Sequence, residues 1–154
     1  MSAFGGGQPR GSLATLMQTS ALNSSATEQQ PAASRPRPRR KRILLVDDQE
    51  SVREAISFLL KLDDHTVIEA ADGAVALEMF MRGRFDLVIT DFDMPKMKGN
   101  ELAAKIKQAH PTQPILMLTA YAERLRDSDN PVDVILDKPF QLQDLRQAMA
   151  ELLS

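Results

Sequence analysis

The sequence contains no cysteine and only two histidines, His65 and His110, which stand far apart. The lack of cysteine excludes disulfide bonds, thiolate zinc sites and cysteine nucleophiles, and it fits a reducing compartment. The isolated histidines argue against a histidine metal cluster. No apolar run approaches the length of a membrane span, and the stretch at 13–17 is too short for the core of a signal peptide. We therefore expect a cytoplasmic protein.

Charge is distributed unevenly, although the net charge of the 154 residues is only −2. Residues 1–42 hold seven basic residues and one acidic residue, which gives this region a net charge of +6. Residues 43–154 hold twelve basic and twenty acidic residues, which gives a net charge of −8. The two regions therefore need separate interpretations.

Residues 1–41 are rich in Gly, Ser, Ala, Gln and Pro and show no periodic apolar pattern. Such a segment cannot bury enough apolar surface to offset its conformational entropy, so we predict that it is disordered. It runs into the basic stretch RPRPRRKR at 35–42. This stretch is a candidate for contact with an acidic partner, nucleic acid or anionic lipid. A solvated leader that keeps the domain soluble is the other interpretation, and both stay open.

From residue 42 onward, short apolar runs alternate with segments of helical periodicity. The runs have the length and composition of buried strands, which we predict at 43–46, 66–70, 85–90, 115–118 and 134–136. Helices are predicted between them, with a capping box at Ser51 and Glu54 and with Asp72 and Asn100 as helix caps. This alternation predicts an α/β domain over 42–154, a doubly wound, five-stranded parallel sheet with helices on both faces.

Acidic and polar residues collect where the predicted strands end. They are Asp47 and Asp48 after the first strand, Asp91 after the third, Thr119 after the fourth and Lys138 after the fifth. Because crossovers are right-handed and all strands point the same way, these residues meet at one edge of the sheet. Clustered carboxylates repel one another, and Mg²⁺ relieves this repulsion while leaving room for a phosphoryl group. With a lysine and a hydroxyl, the set predicts phosphoryl transfer to an aspartate.

Five pieces of residues 42–154 resemble, in order, the receiver domain of two-component response regulators, in the style of the single-domain chemotaxis regulator. They are ILLVDD, VITDFDMPKMKG, the LTA of 118–120, KPF at 138–140 and an amphipathic terminal helix. The resemblance implies a flavodoxin-like strand order, 2-1-3-4-5. It also implies a Mg²⁺-dependent phosphoprotein that is not an enzyme in the usual sense, because it catalyses only its own phosphorylation and dephosphorylation.

The resemblance implies roles for the residues that handle the phosphoryl group. Asp91 looks like the phosphoacceptor. Thr119 looks like the switch hydroxyl that moves toward the phosphoryl group, and Lys138 looks like the lysine that pairs with the acceptor or with the phosphoryl oxygens. The bond between Lys138 and Pro139 is commonly cis in the family.

The resemblance also implies a metal site. Asp48 looks like a Mg²⁺ ligand beside the acceptor Asp91, and Asp47 looks like the neighbouring acidic residue of the same pocket. The family uses the backbone carbonyl two residues after the acceptor, which here is that of Asp93. On this interpretation the carboxylates of Asp91 and Asp93 have different roles, although the sequence DFD presents them as a pair.

Two departures from the family pattern concern the output of the domain. The family usually has an aromatic switch residue three positions before the lysine, and here that position is Ile135. Only 18 residues separate Thr119 from Lys138, which predicts a short or irregular fourth helix. The usual route from the acceptor through the fifth strand is therefore open to question.

Three functions from different classes remain open. The first is a stand-alone receiver, phosphorylated by a sensor histidine kinase or a phosphotransfer protein, which lacks a DNA-binding effector domain and acts by contact with a downstream protein. The second is a receiver-like scaffold that is not phosphorylated and is tethered by its basic tail. The third is a phosphatase of the haloacid dehalogenase type, since DFD at 91–93 resembles its D-x-D motif. The acidic pair of that family follows the nucleophile, however, whereas Asp47 and Asp48 precede it.

Overall fold

Strands and helices alternate along the chain in a computed structural model, which describes residues 39–126 and 129–154. The strands are β1 (Arg42–Val46), β2 (Thr66–Ala70), β3 (Leu87–Asp91), β4 (Ile115–Thr119) and β5 (Val134–Asp137). The helices are α1 (Glu50–Leu62), α2 (Gly73–Arg82), α3 (Gly99–Ala109), α4 (Ala122–Arg126) and α5 (Leu142–Leu153). Of the predicted disordered tail at 1–41, residues 1–38 lie outside the described residues, and the binding of a partner by this tail stays a prediction.

The five strands form one parallel sheet in the order β2-β1-β3-β4-β5, which confirms the predicted order 2-1-3-4-5. The register pairs Val46 with Ala70 and Asp91 with Leu118. Thr119, the last residue of β4, pairs with Asp137, the last residue of β5. The carboxyl ends of the strands therefore lie along a single edge.

Each strand of the sheet's centre is buried on both faces. In β1, Ile43 and Leu45 belong to a core cluster with residues of α1 and α5, whereas Leu44 and Val46 pack with residues of α2 and α3. All four side chains are 0% exposed. Burial of one such side chain contributes about 1.5–3 kcal/mol, so the two cores hold the central strands firmly in register. The helices on both faces confirm the predicted doubly wound architecture.

The third strand starts two residues later than the sequence predicts. It begins at Leu87 rather than at 85, because Phe85 leaves the sheet and stacks on Phe80 of α2 at 6.3 Å between ring centroids. Asp86 accepts a hydrogen bond from the backbone N–H of Arg42 at 2.8 Å through its side chain. The backbone N–H of Asp86 donates in turn to the carbonyl of Arg42 at 2.8 Å, so contact with β1 continues one residue before β3 begins.

The predicted capping box at Ser51 and Glu54 is wrong. Helix α1 begins at Glu50, and its N-cap Gln49 makes no side-chain capping hydrogen bond. Instead, the backbone N–H of Gln49 donates to the carboxylate of Asp47 at 2.9 Å. The start of α1 is therefore organised by an acidic residue at the end of β1.

The other two predicted caps have opposite outcomes. Asp72 is the N-cap of α2, as predicted, and its side chain accepts from the backbone N–H of Val75 at 2.8 Å. Asn100 does not cap α3, because this helix begins at Gly99. The side chain of Glu101 accepts a hydrogen bond of 3.1 Å from the backbone N–H of Lys98, the residue before the helix, and so takes the capping role.

The helices are short. In the described part of the chain the longest is α1, with 13 residues. Helix α4 has five, which confirms the short fourth helix that the spacing between Thr119 and Lys138 predicts. Within the described ranges, no helix combines the length and the apolar character needed to cross a membrane.

Candidate functional site

Three carboxylates meet at the carboxyl edge of the sheet. Asp47 and Asp48 directly follow β1, and Asp91 is the last residue of β3, the strand next to it. One oxygen from each carboxylate can be chosen so that all three lie within 4.8 Å of one another. Asp47 and Asp91 are buried, while Asp48 is exposed and opens the cluster to solvent. The structure thus brings together the predicted acceptor and the two predicted acidic metal-site residues.

Lys138 enters the same cluster from the loop after β5. Its Nζ lies 2.8 Å from Oδ1 of Asp91 and 3.8 Å from Oδ2 of Asp47. Its backbone N–H donates to the carbonyl of Thr119 at 2.9 Å, and the following bond to Pro139 is cis. A single ammonium group therefore contacts two of the three carboxylates, and the loop that carries it is tied to the end of β4.

The two oxygens of the Asp47 carboxylate have different surroundings. Oδ1 accepts from the backbone N–H of Gln49, whereas Oδ2 is buried and has no hydrogen-bond partner. Burial raises the pKa of the Asp47 carboxyl, and the charges of Asp91 and Asp48 add to that rise against the opposing effects of Gln49 and Lys138. A buried carboxylate oxygen that accepts no hydrogen bond, beside two more carboxylates, fits a hard divalent cation with oxygen ligands, such as Mg²⁺.

Thr119 ends β4 at the same edge. It is one residue beyond Leu118, the register partner of Asp91, and it is 1% exposed. Its hydroxyl accepts a hydrogen bond from the backbone N–H of Tyr121 at 2.9 Å. A hydroxyl has one hydrogen to donate and two lone pairs, so this contact leaves the hydrogen free to serve as a donor.

Two further acidic residues at this edge point to cations outside the cluster. The carboxylate of Asp93 lies 2.6 Å from Nζ of Lys98, and this hydrogen bond raises the pKa of Lys98. Asp137 pairs with Arg126 at 3.4 Å. Their side chains are therefore separate from the three-carboxylate cluster, and the role of the Asp93 backbone carbonyl stays a prediction.

The loop after β3 depends on Gly99 in a way that the sequence does not reveal. Its backbone N–H donates to the carbonyl of Phe92 at 2.9 Å. A Cβ atom at this position would overlap the carbonyl oxygen of Asp91 and lie 3.0 Å from Cα of Phe92. The glycine therefore lets the loop close directly against the backbone of the predicted acceptor.

Ile135 occupies the position where the receiver family usually has an aromatic residue. It lies in the middle of β5, is half-buried and pairs in register with Met117. An aliphatic side chain is thus built into the edge strand, and the effect of this substitution on output stays a prediction.

Residues 43–150 match the sequence model of the response regulator receiver domain. The chain belongs to this family. Among curated proteins, the receiver domain is 39% identical to response regulator MprA of Mycobacterium ulcerans and 38% identical to MprA of Mycobacterium leprae. Each match covers 115 residues, 73% of this chain and 50% of the relative. The chain therefore spans about half the length of the curated relatives it matches.

Solved structures with the same fold include two response regulators. The receiver domain matches response regulator protein TrrA of Thermotoga maritima, in complex with Mg²⁺-BeF, with a TM-score of 0.70 and 34% identity. That match covers 73% of this chain and 99% of TrrA. The chemotaxis response regulator CheY4 of Vibrio cholerae matches with a TM-score of 0.68 and 31% identity, over 74% of this chain and 99% of CheY4.

Proposed function

We propose that residues 42–154 form a receiver domain that accepts a phosphoryl group on Asp91 from a sensor histidine kinase or a phosphotransfer protein. In this proposal the phosphorylated domain acts by contact with a downstream protein. The observation that carries the proposal is the contact of Lys138 with Asp91 at 2.8 Å inside a cluster of three carboxylates. A nucleophile, a fixed cation and an acidic pocket are the parts that phosphoryl transfer to an aspartate needs.

In the proposed reaction, a carboxylate oxygen of Asp91 attacks the phosphorus of a phosphohistidine. A P–O bond forms and the P–N bond breaks, and its electron pair stays on the imidazole nitrogen, which takes up a proton. Lys138 is placed to pair with the negatively charged phosphoryl oxygens as the group is transferred to Asp91. The hydroxyl of Thr119, at the end of the neighbouring strand β4, can donate to a further phosphoryl oxygen.

The cation that we propose for this pocket is Mg²⁺, held by Asp47, Asp48 and Asp91 and by the backbone carbonyl of Asp93. Its support is the buried Oδ2 of Asp47, which accepts no hydrogen bond, and the proximity of the three carboxylates. TrrA, which this domain matches over nearly its whole length, was solved with Mg²⁺-BeF. When bound, Mg²⁺ neutralises charge on the acidic residues and on the phosphoryl oxygens.

Intact mass spectrometry tests the proposal. The full chain is incubated with MgCl₂ and acetyl phosphate, and we expect the mass to increase by one phosphoryl group. Asp91→Asn should abolish the adduct. Asp93→Asn is the matched control and should retain it, because only the backbone of Asp93 is used and its carboxylate faces Lys98.

The same experiment separates the other two functions. No adduct together with steady release of phosphate from unrelated monoesters would contradict the proposal and favour a haloacid dehalogenase-type phosphatase. No adduct and no phosphate release would contradict it and favour a scaffold that is not phosphorylated. Ile135 and the five-residue α4 are the features of the chain that favour this scaffold.

A further inference from the structure

Arg53 joins three elements directly behind the acidic cluster. It lies in α1, and its side chain is 15% exposed. Its Nη1 donates to the backbone carbonyl of Asp47 at 2.7 Å, and its Nε donates to Oε1 of Glu69 in β2 at 3.1 Å. The planar guanidinium therefore connects α1, the end of β1 and β2 through two hydrogen bonds with fixed directions.

The peptide that Arg53 holds is the one between Asp47 and Asp48. On its preceding side, the backbone N–H of Asp47 donates to the carbonyl of Ala70 at 3.2 Å. The carbonyl of the same residue accepts from Arg53. Rotation of this peptide would turn the side chains of both acidic residues, so its orientation decides whether their carboxylates converge on Asp91.

We propose that Arg53 is a positioning residue that fixes the peptide between Asp47 and Asp48 and thereby sets the affinity of the site for a divalent cation. The inference rests on the proposed function for the identity of that cation, Mg²⁺. Arg53 contacts neither Asp91 nor any atom that reacts, so its effect passes through the backbone of Asp47. Partners that orient metal ligands in this indirect way typically change metal affinity by roughly 10–100-fold when they are removed.

The direction of the effect separates positioning from simple electrostatics. Arg53 contacts the carbonyl of Asp47, so removal of its positive charge should, through Coulomb interaction alone, strengthen the binding of a cation at the neighbouring site. Loss of the carbonyl contact should weaken it, because the carboxylates would no longer be held in a convergent arrangement. A variant that lacks the charge and the hydrogen bonds therefore gives opposite results under the two explanations.

Isothermal titration of the full chain with MgCl₂, without phosphodonor, provides the test. For Arg53→Met we expect the Kd for Mg²⁺ to increase roughly tenfold or more. Glu69→Gln is the matched control, because it keeps an acceptor for Nε of Arg53 and removes only the charge of the pair. We expect its Kd to stay within about twofold of the wild-type value, on the scale of a partly exposed ion pair. A Kd for Arg53→Met equal to or lower than that of the wild type would overturn the inference.

Arg53→Lys gives a second measurement if Arg53→Met does not fold, as judged by circular dichroism. Lysine keeps the charge but lacks the fork that donates to Asp47 and Glu69 together. We expect a Kd for Mg²⁺ several-fold above the wild-type value, and an unchanged Kd would count against positioning.

Adduct formation with acetyl phosphate separates this inference from the proposed function. At saturating MgCl₂, folded Arg53→Met should still gain one phosphoryl group, because the site is then filled. A wild-type chain that binds Mg²⁺ but gains no phosphoryl group would contradict the proposed function and leave the role of Arg53 supported by its own titration. A wild-type chain that forms the adduct while Arg53→Met binds Mg²⁺ normally would refute the positioning role alone.

Discussion

The chemistry of single residues in this site depends on their burial and on the ammonium group of Lys138, which two carboxylates share. Asp91 and Asp47 both lie within reach of Nζ of Lys138, and both are buried. Asp48 is exposed. One ammonium does not balance three carboxylates, and this imbalance supports the proposed binding of a second cation at the site.

Removal of the lysine should separate phosphorylation from cation binding. For Lys138→Met we expect the rate of phosphorylation by acetyl phosphate to fall about 10²-fold, the typical cost of removing one preorganised charge-stabilising group. The affinity for Mg²⁺ should not decrease, because a positive charge next to the carboxylates is lost. Rates are measured by quenched-time mass spectrometry. Lys105→Met, on an exposed position of α3, is the matched control and should keep the wild-type rate.

Asp47 should limit the stability of the metal-free domain. Burial raises the pKa of its carboxyl above the value of 3.8 that it has in the unfolded chain. The contribution of this group to the free energy of unfolding is therefore highest while the carboxyl is protonated. That contribution is lost as pH rises through the raised pKa. At neutral pH and without Mg²⁺, we expect Asp47→Asn to increase the free energy of unfolding by about 1–3 kcal/mol, the usual cost of an unsatisfied buried polar group.

Urea unfolding at several pH values measures this effect. The advantage of Asp47→Asn should shrink as pH falls toward 3.8, since the wild-type carboxyl then becomes protonated as well. Asp48→Asn is the control at the exposed neighbour and should change the free energy of unfolding by less than about 0.5 kcal/mol. A lower stability of Asp47→Asn at neutral pH without Mg²⁺ would show that the carboxylate is satisfied in the fold.

At the scale of elements, the site depends on how the β3–α3 loop returns to the end of β3. Two features shape this return. Lys96 has a positive φ of 70° in a tight turn in which the N–H of Met97 donates to the carbonyl of Pro95 at 2.8 Å. Gly99 then contacts the backbone of Asp91 and Phe92 more closely than any side chain would allow.

Gly99→Ala should therefore damage both the fold and the site. The added methyl group must displace the backbone of the proposed acceptor, and we expect a loss of roughly 1–3 kcal/mol in the free energy of unfolding, the typical cost of overpacking. Phosphorylation of the folded fraction should slow as well, because Asp91 moves relative to Lys138. Gly83→Ala is the control, since its nearest neighbours lie at 3.5 Å and its φ is −140°. Equal stability of the two variants would contradict this account.

Elements and their boundaries were predicted with different success. The strand at 66–70 agrees with β2 at both ends. The starts of β3 and α1 differ from the prediction, since Phe85 stacks on Phe80 and the carboxylate of Asp47 organises the turn before α1. Such contacts join segments distant in the chain or depend on a local turn, and apolar periodicity carries no signal for them.

At the scale of the whole molecule, the alternation of strands and helices predicts a parallel sheet and therefore the meeting of Asp47, Asp48, Asp91 and Lys138 at one edge. The strand order 2-1-3-4-5 was predicted from the resemblance to receiver domains. Parallel strands leave no other place for the residues that follow them. The contact of Arg53 with the Asp47 carbonyl and the overlap that excludes a side chain at Gly99 could not be predicted, because they depend on backbone approaches of a few ångströms. The topology determines where the site lies, and contacts such as those of Arg53 and Gly99 determine its detailed geometry.

The central claim is that Asp91 carries the phosphoryl group, and chemical trapping tests it most directly. Borohydride reduces an aspartyl phosphate to homoserine, so the chain is incubated with MgCl₂ and acetyl phosphate, reduced, digested and sequenced by tandem mass spectrometry. We predict homoserine at position 91, dependent on the phosphodonor, with Asp47, Asp48 and Asp93 unchanged. Homoserine at one of those three positions, or none at 91 in a chain that binds Mg²⁺, would contradict the account.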